Sequence, residues 1–139
     1  MTSRIPRIVI AYVVASAAAT IAIFVPVLVP IVTRGAFNSD MLGAFAASLP
    51  TTLLIVMVIA LLPASLLIAY AERYAQRSPG YFATAGALSA LIPAGVFALI
   101  ALSGRGLAAG LAVGGRMVVA GIVAGVIYWA LAGRSSGQQ

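Results

Sequence analysis

Four long apolar runs alternate with short polar breaks along the chain. Residues 8–32, 51–71, 81–103 and 107–133 are almost wholly apolar, and charge collects at 34–40, 72–80 and 104–106. Each run is long enough to cross a bilayer core of about 30 Å at about 1.5 Å of helix rise per residue. No run alternates apolar and polar residues as a half-buried strand would. The pattern predicts an all-α, polytopic integral membrane protein with a single transmembrane domain. Its four transmembrane helices form two hairpins, and 134–139 is a short polar tail.

Prolines and caps refine the boundaries. Pro50 separates residues 40–49 from the second run, so 40–49 reads as a possible short interfacial helix. Asn38, Ser39 and Asp40 are N-cap types for a helix starting near Met41. Pro26 and Pro30 kink the far end of the first run. Pro63 requires Ser65 or a neighbouring helix to compensate the lost backbone bond, and Pro93 leaves the Ser89 carbonyl without its donor. Ala15, Ser16 and Ala17 resemble a signal-peptide cleavage site, but the apolar run continues to residue 32 and reads as a retained helix.

The stretch between the hairpins changes polarity within a few residues. Glu72, Arg73 and Arg77 follow an apolar run, and Tyr70, Tyr74 and Tyr81 flank the change. Amphipathic rings favour the headgroup zone, so these residues read as interfacial anchors, as do Tyr128 and Trp129 near the end of the last run. Glu72 reads as an interfacial acid beside two arginines rather than an intramembrane ion site.

Glycine is concentrated in the fourth run. Gly106, Gly110 and Gly114 recur every four residues, and Gly121 and Gly125 form a second pair. Residues four apart share a helix face, so both sets predict strips where another helix comes close. Ala15 with Ala19, and Gly86 with Ala90, supply weaker strips.

Composition removes most chemistry. The chain of 139 residues has no cysteine and no histidine, which excludes disulfides, thiolate or imidazole metal sites and His-dependent triads. Asp40 and Glu72 are its only acids, too few for a carboxylate cage. The net charge of +6 is carried by arginines at the ends of apolar runs, a pattern of membrane topology rather than of nucleic-acid binding. We therefore expect no catalysis, no cofactor, no metal and no nucleic acid. The expected partners are membrane lipids, and other membrane subunits or a second copy.

Arginine counting orients the chain. Arg4, Arg7, Arg73, Arg77 and Arg134 share one face, against Arg34 and Arg105 on the other, joined by Arg116 if it lies outside the core. The excess predicts an inner (cytoplasmic) membrane location with both termini in the cytoplasm. Arg116 is the candidate contact for a headgroup, ligand or partner. An interfacial depth is favoured for it, with 104–115 shallow or tilted and Asp40 the nearest acid in the chain. The function expected is a non-catalytic accessory or scaffold subunit of a membrane complex, or a small homo-oligomer. The alternative is a small oligomeric transporter or channel for an anionic or lipid-like solute.

Overall fold

A computed structural model describes residues 4–104 and 106–135. Arg105 and the tail beyond residue 135 lie outside them. The described chain holds four helices: α1 (Arg4–Thr33), α2 (Ser39–Arg73), α3 (Pro79–Gly104) and α4 (Leu107–Leu131). A single 3₁₀ turn, Gly133–Ser135, follows. Each of the four helices is long and apolar enough to cross a membrane. Large apolar side chains cover the outside, with Leu62 73% and Leu99 68% exposed. Lipid tails solvate such a surface, whereas water would not.

The breaks are built from local backbone chemistry. α1 ends with Gly35 at φ 66°, its N–H bonded to the Val32 carbonyl, and the Ala36 N–H bonded to that of Ile31. This paired closure satisfies carbonyls that the helix end leaves open. Three residues later Asn38 caps α2, its side chain accepting from the Met41 N–H at 2.8 Å. α2 ends in a similar closure, with the Gln76 N–H on the Ala71 carbonyl. There the left-handed position is held by Ala75, at φ 50°.

One boundary differs from the sequence reading. Residues 40–49 form no separate interfacial helix, because α2 runs unbroken from Ser39 to Arg73 with Pro50 and Pro63 inside it. In lipid, breaking a helix exposes several backbone groups, while a proline costs one bond and keeps a helical φ. Ser65 does not bridge the gap left by Pro63, either. Its hydroxyl donates to Leu62 at 2.8 Å, whereas the carbonyl that Pro63 frees belongs to Ile59.

Three helices form the packed body. α3 and α4 lie antiparallel along their length, and α1 packs against the other flank of α4. On α1, Ala11, Ala15 and Ala19 are buried. The seam between α3 and α4 is made of glycine. A Cβ on Gly86 would collide with the Gly121 carbonyl, and one on Gly125 with the Phe82 backbone. One on Gly121 would sit 2.8 Å from the Ala90 Cβ. Backbones at this separation gain dispersion contact that bulkier residues would forbid, which drives helix association where no hydrophobic effect operates.

α2 is different. Ala71 is its one buried residue among those described. It is held to α1 by the Tyr12 hydroxyl donating to the Met57 carbonyl at 2.6 Å, and by an edge-on pair of Phe24 with Phe45 at 4.7 Å. It is held to α3 by the Tyr81 hydroxyl donating to the Leu67 carbonyl at 2.8 Å.

Candidate functional site

Three features carry the chemistry of the molecule: an arginine and aromatic face, a lone arginine on α4, and a slot between α2 and the other helices.

The face gathers the start of α1, the α2–α3 connection and the end of α4. The Arg7 guanidinium donates from Nε to the Leu131 carbonyl at 2.7 Å, and the Trp129 indole N–H donates to the Arg77 carbonyl at 2.7 Å. Arg134 lies over the Trp129 ring at 4.5 Å, a cation–π contact. Tyr70 stacks on Tyr81 at 6.0 Å and touches Tyr74 at 4.4 Å. Arg73 is exposed and Glu72 half-buried beside them. Tyr70, Glu72, Arg73, Tyr74, Arg77, Tyr81 and Trp129 are therefore brought to one end of the bundle. Tyr128 is not on its surface; it is 6% exposed and packs on Phe82 at 5.6 Å.

Arg116 stands on the outward side of α4, exposed, between Gly115 and Val119 on the same side. The segment before it belongs to the same helix and packs on α3. α4 is continuous from Leu107, Gly110 is buried, and Gly114 lies 3.6 Å (as a built Cβ) from the Ala94 carbonyl of α3. Arg116 is 13 residues from Trp129, roughly 19 Å along the axis. Asp40 does not serve it: Asp40 occupies the first turn of α2, and the packed neighbours of α4 are α1 and α3.

The glycines divide by role. Gly121 and Gly125 form the seam, Gly114 makes ordinary contact, and Gly110 is buried. Gly106 has open space around it and caps α4 at φ 83°, a backbone region that favours glycine.

The slot was not visible in the sequence. It is a partly open space of about 410 Å³ lined by all four helices, from Ile68, Phe82 and Tyr128 at one end to Phe24, Pro93 and Met117 at the other. Its lining is almost entirely apolar, and no arginine, Asp40 or Glu72 contributes to it. The hydroxyls that reach it are mostly occupied: Tyr12 bonds Met57, and Ser89 bonds the Ala85 carbonyl at 2.9 Å. Spacing on α2 held the available signal. Thr52, Ile55, Ile59 and Leu67 fall on one face and line the slot, but periodicity alone does not tell an open space from a packed neighbour.

No family, no curated protein and no solved structure matches this chain.

Proposed function

We infer that this chain is a non-catalytic integral protein of the inner membrane, with both termini in the cytoplasm, acting as an accessory or scaffold subunit of a membrane complex. Arg116 carries this reading. A guanidinium on the outward side of a spanning helix costs a few kcal/mol or more unless a counter-charge or the headgroup layer receives it. Both acids of the chain sit at the ends of α2, so the counter-charge comes from outside the chain. A second membrane subunit docking against α4 supplies it directly. A homo-oligomer is the weaker form, because a second copy brings its acids only at helix ends. The slot lining, with no acid, no arginine and no histidine, supports a role without proton transfer.

The slot also favours a second reading, a small oligomeric carrier or channel for an anionic or lipid-like solute. It would need a path past Phe24, which pairs with Phe45 at the inner end of the slot.

Mild-detergent extraction of the native protein, with identification of stoichiometric partners, tests the first reading. Arg116→Leu should abolish co-purification while Arg116→Lys retains part of it. Unchanged partner recovery in Arg116→Leu overturns it. Reporter fusions after Gln139 test the orientation, and a periplasmic signal would reverse it.

A further inference from the structure

We propose that the slot between α2 and the α1–α4–α3 body is a binding site for one acyl chain of an anionic phospholipid drawn from the leaflet on the arginine-rich face. This goes beyond the subunit reading and does not depend on it, since Arg116 is not among the residues that line the slot.

Shape is the first argument. The lining runs from Phe82 to Pro93 along α3 and from Ile68 to Thr52 along α2, rises of about 16 and 24 Å. The chain of a lipid in one leaflet reaches through half of a bilayer core, about 15 Å, so the slot is long enough to take one along its whole depth. A space of about 410 Å³ drawn out over that length is a slot, not a chamber for a globular ligand. Phe24 lines the end away from Ile68, Phe82 and Tyr128, and pairs there with Phe45.

Chemistry is the second. Apolar residues dominate the wall, and Tyr12 and Ser89 turn their hydroxyls to backbone carbonyls of the protein. A chain of methylenes asks nothing more of it. Lipid sites differ from polar ones in this way: the tail needs apolar area, while recognition falls to the headgroup.

Charge complementarity decides the headgroup. The outer end of the slot is lined by Ile68, Phe82 and Tyr128, which adjoin Tyr81 and Trp129 in sequence. Arg73 is exposed five residues past Ile68, and Arg7, Arg77 and Arg134 share the same face, against Glu72 alone among the acids. An anionic headgroup over this end meets a positive field, and each arginine near a membrane surface favours such a lipid by roughly fivefold. Entry is lateral: α2 is anchored at only a few points, so the space beside it meets the bilayer directly.

The test is photolabelling in vesicles. The full chain is reconstituted with phosphatidylglycerol carrying a diazirine midway along one acyl chain, and labelled residues are mapped by mass spectrometry. Slot residues such as Ser16, Ala60, Ser89 and Ala120 should be labelled above the lipid-facing Leu62 and Leu99. The same chain on phosphatidylcholine should label the slot at least about fivefold less. Ala64→Phe, which fills the slot from α2, should remove slot labelling and keep that of Leu62 and Leu99. Labelling confined to outward residues, or equal slot labelling by both lipids, overturns the proposal. Because the headgroup comparison uses the wild-type chain, it stands even if the Ala64→Phe protein misfolds.

Discussion

The α3–α4 seam and the α2 helix both come from long apolar runs, yet they are held by different means. At the seam, Gly86, Gly121 and Gly125 let two backbones touch, so a missing side chain is the binding element. α2 carries two internal prolines and bulky Leu, Ile and Val residues. It is attached through Tyr12, Phe45 and Tyr81 and leaves a slot behind it. In lipid, apolar character does not decide which helices pack, because lipid solvates Leu as well as another helix does. Small residues and side chain to backbone bonds decide it.

The largest effect should follow from filling the seam. Gly121→Leu or Gly86→Leu forces the backbones apart and should cost roughly 3 kcal/mol, read as loss of folded protein in a denaturant titration in detergent. Gly115→Leu is the matched control. A Cβ there meets open space, so the change should stay within about 0.5 kcal/mol. Equal stability of the Gly121→Leu and Gly115→Leu proteins would erase the contrast between seam and surface.

A middle effect belongs to α2. Tyr12→Phe removes the bond to the Met57 carbonyl and should cost about 0.6–1 kcal/mol. Its sharper signature is local: a spin label on α2 near Met57 should become more mobile, while one on α3 near Gly86 should not change. The smallest effect is at Ala75, which holds a left-handed conformation at φ 50°. Ala75→Gly relieves that strain and should stabilise the protein by about 0.5–1 kcal/mol. No change in either direction would mean that the α2 closure contributes little.

These contrasts mark what was legible in the sequence. The four spans were, because a bilayer demands long uninterrupted apolar runs. Gly121 and Gly125 were recognisable as a packing strip, but their partner was not. Gly86 looked like a weaker strip and turns out to face both of them. The break assigned at Pro50 failed for a physical reason. Proline is a strong terminator in water, where a broken helix can hydrogen-bond to solvent, and a weak one in lipid. Gly106 shares the spacing of the strip but serves as a cap, since spacing does not report φ. Tyr128 resembles Trp129 as an aromatic near a helix end, yet packs inward on Phe82. The slot escaped altogether, because it arises from faces that do not meet, and sequence patterns only register faces that could.

α1, α3 and α4 make one packed body, against which α2 is a wall attached at a few points. Because the chain has no cysteine, pairs of spin labels can be introduced without background. The decisive measurement is the distance distribution by double electron–electron resonance in lipid nanodiscs, comparing a label pair across α3 and α4 with a pair across α2 and α4. The α3–α4 pair should give a narrow distribution, and the α2–α4 pair a clearly broader one that narrows when anionic lipid is added. Equally narrow distributions for both pairs, indifferent to lipid, would contradict it.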